Sequence, residues 1–287
     1  MGSLTRLATS SFLLPTVLAC SPFQTAAQST PAIRPGSLFS QSAIQVLERE
    51  FSNNSVSYLL LDANSGVLLA SHWENTDKPI PLGSLVKPFT ALAYAGAHDF
   101  RYPVYECRGQ ASGCWQARPH GKLDIVAAIS VSCNSYFRSL AESVTPEQFL
   151  PVTRAFDLES PDANSTGAGL IGIGDWWKIS PVPMARAYLE LYRRRNQPGI
   201  REILDGMLQS AQHGTGAAVG RALKHSGAFV KTGTAPCTHA PRAPGDGFVV
   251  VMVPAQAPEI VLMIRVHGVP GAKAAETAGR MLRRMEE

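Results

Sequence analysis

Three short motifs hold the side chains of this chain that could do chemistry. They are, in chain order, Ser84-Leu85-Val86-Lys87, Ser132-Cys133-Asn134 and Lys231-Thr232-Gly233-Thr234. With ~20 residue types per position, a tripeptide such as Lys-Thr-Gly arises by chance in only a few per cent of chains of this length. Together the motifs contain a nucleophile, a base, a proton relay and groups that bind a carboxylate. This combination predicts acyl transfer through a serine.

The first motif pairs a nucleophile with a base. Ser84 and Lys87 are three positions apart, so on a helix their Cβ atoms lie on one face, about 5–6 Å apart. A lysine takes the proton of a serine only if burial or a neighbouring cation lowers its pKa. Lys231 would be such a cation if the fold brought it alongside. Taken alone, the pair is more simply explained as a surface serine and a solvated lysine.

The second motif offers groups for proton transfer and for holding a peptide. The Ser132 hydroxyl can relay a proton to a leaving group, and the Asn134 amide can bind a substrate carbonyl. Serine and asparagine also cap helices, which is the simpler explanation of this motif alone. Its chemical interpretation therefore depends on the other two motifs.

The third motif follows a strand-like run and suits a substrate that ends in a carboxylate. Lys231 supplies a fixed positive charge, and Thr232 and Thr234 supply hydroxyl groups. Gly233 has no side chain, so an extended substrate can lie against the edge of the strand. A β-turn with incidental polar groups is the alternative for this motif.

The apolar periodicity predicts the elements that position these motifs. The predicted helices cover residues 41–51, 84–98, 125–141, 146–156, 184–195, 200–212 and 272–286, and the predicted strands cover residues 56–62, 67–71, 227–234, 247–253 and 259–267. Ser84 thus begins a helix, where unpaired backbone N–H groups favour negative charge.

Early and late strands flank a mostly helical middle, so they must share one sheet. We predict one domain over residues 41–287. Its α/β part covers about 41–100 and 215–287, and its helical part covers about 101–214.

The amino terminus has the pattern of an export signal. Arg6 precedes an apolar run over residues 12–19, which is too short to span a bilayer and is interrupted by Pro15. We therefore predict a signal peptide over residues 1–19. The mature protein would lie in the periplasm or the cell envelope.

Two fates of the exported chain remain open. Val17-Leu18-Ala19-Cys20 resembles a bacterial lipobox, which would give a membrane tether through a lipidated Cys20. Ordinary cleavage after Ala27 is the alternative. Residues 20–40 are rich in Ser, Thr, Ala, Pro and Gln and are predicted to be a flexible tether.

Composition argues against nucleic acid as a partner. Hydrophobic residues make up 45% and charged residues 17% of the 287 residues, and the net charge is only +4. The basic residues are scattered, and the densest run, Arg193-Arg194-Arg195, ends a predicted helix. We expect no nucleic-acid partner and no cofactor.

Export would place the cysteines in an oxidising compartment. Cys107 and Cys114 are close enough in sequence for a small disulfide loop, whereas the pairing of Cys133 and Cys237 cannot be deduced. A metal site of Cys107, Cys114 and His120 lacks a fourth ligand at a standard spacing. No metal is therefore predicted.

The motifs and the phrases around them resemble the penicillin-binding protein transpeptidase family, within the superfamily of serine β-lactamases and D,D-peptidases. The phrases are Leu82-Gly83-Ser84, His120-Gly121-Lys122-Leu123-Asp124, Gly172-Ile173-Gly174, Gly214-Thr215-Gly216 and Lys231-Thr232-Gly233-Thr234-Ala235. The resemblance covers residues 41–287. It implies an α+β fold, in which a five-stranded antiparallel β-sheet is flanked by helices and carries an inserted all-helical subdomain.

The resemblance also implies a role for each site residue. Ser84 would be the acylated nucleophile, Lys87 its general base, Ser132 a proton shuttle and Asn134 a ligand of the substrate amide. Lys231, Thr232 and Thr234 would hold the terminal carboxylate, and Gly233 would contact the substrate along the strand edge. Lys231 would also be among the catalytic groups. The backbone N–H groups of Ser84 and Thr234 would form the oxyanion hole. The expected ligands are the D-Ala-D-Ala end of a peptidoglycan stem peptide and β-lactam antibiotics.

Several activities fit this resemblance. The leading one is a D,D-transpeptidase or D,D-carboxypeptidase; the alternatives are a serine β-lactamase, a penicillin-binding sensor or scaffold without turnover, and an esterase. Residues 176–180, Trp-Trp-Lys-Ile-Ser, resemble a class D β-lactamase segment. Class D enzymes, however, carry Ser-x-Val where this chain has Ser132-Cys133-Asn134. Packing beneath the active-site floor is the simpler role for the two tryptophans.

Overall fold

The structure is a computed structural model that describes residues 38–223, 226–237 and 244–287, with side chains from residue 41. The predicted signal peptide, Cys20 and nearly all of the predicted tether lie outside the described residues. Within the described ranges, no helix has both the length and the apolar character needed to cross a membrane.

The strands form one large antiparallel sheet and two small pairs. In chain order they are β1 (Val56–Asp62), β2 (Leu68–His72), β3 (Ile80–Pro81), β4 (Tyr105–Cys107), β5 (Gly121–Leu123), β6 (Lys178–Ile179), β7 (Phe229–Ala235), β8 (Asp246–Val253) and β9 (Ile260–Val266). The five-stranded sheet has the order β2-β1-β9-β8-β7, β3 pairs with β6, and β4 pairs with β5. The predicted five-stranded antiparallel sheet is confirmed.

The pairing of β1 with β9 joins an early strand of the chain to its last strand. Leu59 lies opposite Met263, so residues about two hundred positions apart are direct neighbours. This register confirms that the early and late strands share one sheet. It also leaves β7, which carries the third motif, at one edge of the sheet.

The helices cover both faces of this sheet. They are α1 (Leu38–Phe51), α2 (Lys87–Ala97), α3 (Ile125–Ser130), α4 (Asn134–Ala141), α5 (Leu150–Ala155), α6 (Pro181–Arg193), α7 (Ile200–His213), α8 (Ala217–Ala222) and α9 (Gly271–Glu286). Short 3₁₀ turns precede α2 and α5. The part predicted to be helical also contains the short strands β4, β5 and β6, and its boundaries stay a prediction.

Successive residues of the central strands point to opposite faces of the sheet, and they contribute to two hydrophobic cores. In β8, Val250 and Met252 enter the core on the side of α2 and α6, whereas Val249 and Val251 enter the core beneath α1 and α9. Every residue of β8 is buried, because both faces of the sheet are covered. The sheet is therefore a rigid platform for the third motif.

The predicted helix over residues 125–141 is wrong, because the chain breaks into α3 and α4. Asp124 caps α3 by accepting the Ala127 N–H at 2.8 Å. Ser132 then adopts a positive φ of 52°, which ends the first helix. Cys133 is extended and caps α4, which begins at Asn134. The break places Ser132 and Cys133 between the two helices and leaves Asn134 as the first residue of α4.

Two elements connect the motifs to the sheet. Helix α7 packs against both α3 and β7, so it fixes the second motif relative to the third. The 3₁₀ turn Gly83–Val86 packs directly against β7 and leads into α2. All three motifs are thereby positioned against the same edge strand.

Candidate active site

The three motifs meet in one cleft of about 440 Å³ beside the edge of β7. Six residues predicted for the site line it: Ser84, Ser132, Asn134, Thr232, Gly233 and Thr234. The remaining two, Lys87 and Lys231, are both 0% exposed and contact the lining residues from below. Residues spread over about 150 positions of the chain therefore form one constellation.

Lys87 is held by the second motif. Its Nζ donates to the Ser132 carbonyl at 2.7 Å, to the Asn134 Oδ1 at 2.6 Å and, more weakly, to the Ser132 Oγ at 3.3 Å. Burial lowers the pKa of Lys87 to about 7, while nearby Cys133 and Cys114 act to raise it. A lysine in this position can lose its proton near neutral pH and act as a base.

Lys231 approaches the same serine from the sheet. Its Nζ donates to the Ser132 Oγ at 2.9 Å and to the Thr232 carbonyl at 2.8 Å. Burial, and then the positive charge of Lys87, lower the pKa of Lys231 well below its usual value. Two buried ammonium groups that share one hydroxyl repel each other, so the pair gives up a proton more easily than a solvated lysine does.

The Ser132 hydroxyl is therefore an acceptor for both lysines. Its own hydrogen remains available to a group in the cleft. The backbone strain at this residue, with φ of 52°, is opposed by the short bond from Lys87 to its carbonyl. This arrangement suits the passage of a proton between a buried amine and a bound ligand.

Ser84 reaches the cleft because Gly83 lets two backbones come into close contact. Gly83 has a φ of 60°, and a β-carbon on it would lie 2.2 Å from the Thr234 carbonyl oxygen. Only glycine permits both this conformation and this approach. The Ser84 backbone thus lies beside that of Thr234, the two residues expected to form an oxyanion hole.

The hydroxyl groups of the third motif are oriented by neighbours. Thr234 Oγ1 accepts the Gly271 N–H at 2.9 Å, so its own hydrogen can be donated into the cleft. Thr232 Oγ1 donates to Thr215 Oγ1 at 2.6 Å. Thr215 consequently presents its hydrogen to the cleft, or to the Ser130 carbonyl at 3.5 Å.

Sequence reasoning gave no role to three residues of the cleft. Thr215 belongs to the Gly-Thr-Gly phrase of the resemblance, which is the signal that could have identified it. Trp115 and Ile173 are 52% and 36% exposed and form apolar walls. Ile173 likewise lies in the Gly172-Ile173-Gly174 phrase of the resemblance, whereas Trp115 has no sequence signal, because its position follows from how its loop folds.

The two tryptophans at positions 176 and 177 differ in environment. Trp177 is buried, stacks edge-on against Phe149 and donates from Nε1 to the Glu159 carbonyl at 2.7 Å. Trp176 is 54% exposed. Packing in the core therefore accounts for Trp177 but not for Trp176.

All four described cysteines are free thiols, so the disulfide loop that the spacing allows is not formed. Cys107, Cys114 and Cys133 are buried and gather with His120, their sulfur and nitrogen atoms all within 4.8 Å of one another. The group directly adjoins the second motif, since Cys133 separates Ser132 from Asn134. Cys237 lies elsewhere, near Asp246 and His267.

Comparison with known families identifies the family of this chain. A family model described as the penicillin binding protein transpeptidase domain matches residues 52–285. The chain belongs to this family. Membership supports penicillin binding and the D,D-transpeptidase class, and domains of this family typically lie outside the cytoplasm.

Solved structures support the same fold at low sequence identity. Pseudomonas aeruginosa PBP2 in complex with WCK 5153 has a TM-score of 0.69 and 16% identity, over 86% of this chain and 73% of the other. The transpeptidase domain of Burkholderia pseudomallei penicillin-binding protein 3 has a TM-score of 0.64 and 18% identity, over 86% and 91%.

A ceftriaxone acyl-enzyme complex of Mycobacterium tuberculosis penicillin-binding protein A has a TM-score of 0.65 and 15% identity, over 88% of this chain and 79% of the other. The chain spans 62% of Helicobacter pylori PBP2 in its complex with MreC. No curated protein matches the chain by sequence.

Gly83→Ala tests the contact between the 3₁₀ turn and β7. The new methyl group would clash with the Thr234 carbonyl at a residue with positive φ, so we expect the free energy of unfolding to fall by about 2–4 kcal/mol. Urea denaturation measures this change. Gly96→Ala is the control: a β-carbon there meets no described residue within 4 Å, and α2 should gain about 0.5–1 kcal/mol. Wild-type stability in Gly83→Ala would contradict the contact.

Proposed function

We propose that this protein is a D,D-transpeptidase or D,D-carboxypeptidase whose Ser84 is acylated by the D-Ala-D-Ala end of a peptidoglycan stem peptide. The observation that carries the proposal is the Ser132 hydroxyl, which accepts hydrogen bonds from two fully buried lysines at the floor of the cleft. This geometry supplies a base and a proton relay beside a serine in the 3₁₀ turn that leads into α2. Membership of the transpeptidase family supports the same chemistry.

Acylation begins when neutral Lys87 removes the proton of the Ser84 hydroxyl. The Ser84 oxygen then attacks the carbonyl carbon of the penultimate D-Ala, and negative charge develops on the carbonyl oxygen. The backbone N–H groups of Ser84 and Thr234 stabilise this charge; loss of one such donor typically costs about 10²–10³ in rate. The close packing at Gly83 supports this role by holding the two backbones together.

Proton transfer to the leaving group follows through Ser132. As the peptide C–N bond breaks, the departing D-Ala amine takes the hydrogen of the Ser132 hydroxyl. A protonated lysine, Lys87 or Lys231, restores it, since both donate to that oxygen. Water or an amine from a second stem peptide later attacks the ester, and Ser84 regains its proton.

The substrate lies along the free edge of β7. Its terminal carboxylate is bound by the charge of Lys231 and by the hydroxyl hydrogens of Thr234 and Thr215. Asn134 supports the peptide from the opposite wall, although its Oδ1 is engaged by Lys87 and only its amide N–H₂ faces a ligand. Gly233 leaves room for the peptide beside the strand.

Slow hydrolysis of the acyl-enzyme would distinguish the proposed enzyme from a β-lactamase. Among the described residues that line the cleft there is no aspartate or glutamate, so no carboxylate there activates a water. A penicilloyl group on Ser84 should therefore persist. A sensor or scaffold would form the same adduct but release no D-Ala from a stem peptide.

The place of action follows from the same assignment. We propose that the domain is exported and works in the periplasm or cell envelope, where peptidoglycan is exposed. The lipobox-like sequence ending at Cys20 supports a membrane tether through that residue. Metabolic labelling with a palmitate analogue tests the tether; loss of label in Cys20→Ala is expected, and an unlabelled wild-type protein would exclude it.

A fluorescent penicillin tests the nucleophile. The wild-type protein should form one covalent adduct that decays over hours, and Ser84→Ala should form none, because the hydroxyl proposed to be acylated is removed. Ser143→Ala, an exposed serine, is the control and should label normally. Gel fluorescence and peptide mass spectrometry measure the adduct. Rapid release of label would indicate a β-lactamase, and no label on wild type would refute acylation.

Release of D-Ala from a synthetic pentapeptide stem tests turnover. Ser132→Ala should lower kcat by about 10²–10⁴, because the proton relay is lost. Ser130→Ala is the matched control: this buried hydroxyl, two residues away, has no hydrogen-bond partner among the described residues, so its removal should leave the rate unchanged. If wild type forms the penicillin adduct but releases no D-Ala, the sensor alternative is correct.

The pH dependence of acylation tests the base. Since the pKa of Lys87 is about 7, the second-order rate of acylation should rise with pH through this value and level off above it, where the amine is neutral. Lys231, Cys133 and Cys114 are the other titratable groups near this amine. Stopped-flow acylation over the neutral range measures the profile. A flat profile would contradict the role of Lys87.

Lys87→Arg provides the companion variant. A guanidinium keeps the charge but does not deprotonate, so acylation should fall by about 10²–10⁴ with no recovery at higher pH. Thermal unfolding verifies that the variant is folded. Wild-type acylation in this variant would exclude Lys87 as the base.

A further inference from the structure

Three buried cysteines and one histidine form a cluster behind the second motif. Cys107, Cys114 and Cys133 are 0%, 6% and 0% exposed, and His120 is half-buried. One potential ligand atom from each residue lies within 4.8 Å of all the others. The acyl-transfer chemistry uses none of these four side chains.

The separations within the cluster match those of a tetrahedral zinc site. With Zn–S bonds of about 2.3 Å and a Zn–N bond of about 2.0–2.1 Å, tetrahedral angles place sulfur atoms about 3.8 Å apart and each sulfur about 3.5 Å from the nitrogen. Cys114 Sγ is 3.8 Å from Cys133 Sγ. His120 Nδ1 is 3.4 Å from Cys107 Sγ and 3.6 Å from Cys114 Sγ.

A disulfide does not account for these positions. A sulfur–sulfur bond is about 2.05 Å long, whereas the Cys114 and Cys133 sulfurs are 3.8 Å apart. A disulfide would also use two of the four residues and leave a third thiol and an imidazole beside it. A single ion bound by all four side chains explains why these side chains converge.

Ordered elements present all four ligand residues. Cys107 ends β4 and pairs with Gly121 of β5, so His120 immediately precedes the partner strand. Cys114 follows the 3₁₀ turn Gly109–Ser112, and Cys133 caps α4. Because these four residues are already held in place, they would lose little conformational entropy when they bind an ion.

Polar groups around the cluster suit thiolate ligands. Ser135 Oγ lies 3.6 Å from Cys107 Sγ and can donate a hydrogen bond to it. Ser112 Oγ lies 2.8 Å from Ser135 Oγ and fixes its position. Hydrogen bonds of this kind orient ligands and stabilise the charge of a metal-bound thiolate.

We propose that Cys107, Cys114, Cys133 and His120 bind one zinc ion. Three thiolates and one imidazole form a soft, four-coordinate set, which selects zinc over calcium or magnesium. Because protein side chains fill all four positions, the site is structural rather than catalytic. Binding converts three thiols to thiolates and releases their protons to solvent.

The proposed ion would support the cleft from behind. Cys133 lies between Ser132 and Asn134, so its coordination would restrain the strained segment that carries both residues. Trp115 follows Cys114 and forms a wall of the cleft. Zinc binding itself does not depend on the proposed function, whereas an effect of zinc on acylation rests on it.

Metal content and spectroscopy of the purified protein test the proposal. Inductively coupled plasma mass spectrometry and native mass spectrometry should find one zinc per chain. Replacement by Co²⁺ should give the intense thiolate-to-cobalt charge-transfer bands and the visible bands of a tetrahedral site. Cys114→Ser and His120→Ala should each lose these bands and bind at least tenfold less zinc. Cys237→Ser, which removes the described cysteine outside the cluster, should keep them.

Measurements on the wild-type chain keep the test decisive if a ligand variant fails to fold. A chelating indicator should withdraw one zinc per chain and make three buried thiols reactive. If thiols instead stay unreactive after the chelator, and the intact mass is lower by two hydrogen atoms for each pair of them, those cysteines form a disulfide. That result would overturn the proposal. Zinc-free protein that takes up no Co²⁺ would overturn it as well. Ser84→Ala should bind zinc normally, so failure of acylation and failure of metal binding are distinguishable.

Discussion

The candidate active site is organised by two buried lysines that share one serine hydroxyl. An ammonium group removed from water must find acceptors or lose its proton. Lys87 and Lys231 find them in the carbonyl and hydroxyl of Ser132, the side chain of Asn134 and the carbonyl of Thr232. This requirement brings a helix, a broken segment between two helices and an edge strand to one point.

The surrounding fold meets this requirement through close backbone contacts. The absence of a side chain at Gly83 lets the turn before α2 lie against β7. The sheet is stiff because both of its faces are buried, and α7 holds the second motif against it. The proposed zinc site would add a restraint on the opposite side of the same segment. Strain at Ser132 is tolerated because its neighbours on every side are fixed.

Much of the architecture could be predicted from local pattern. Alternating apolar residues indicated the strands of the sheet within one or two residues, and the chain order required β1 and β9 to share it. The break at Ser132 was missed, because the apolar spacing on both sides of it continues a helical period. Only the tertiary contacts of Lys87 with that segment make a positive φ acceptable there.

The sequence by itself determined which chemical groups are present and which motif carries each. It also indicated the family, since motif identity depends on residue types and their order. The tertiary structure decided which groups touch: it joined Thr215 to the third motif and gathered Cys133 with Cys107, Cys114 and His120. From spacing alone a fourth metal ligand was missing, because Cys133 belongs to another motif. Contacts between distant residues depend on packing, and packing has no local signature in the chain.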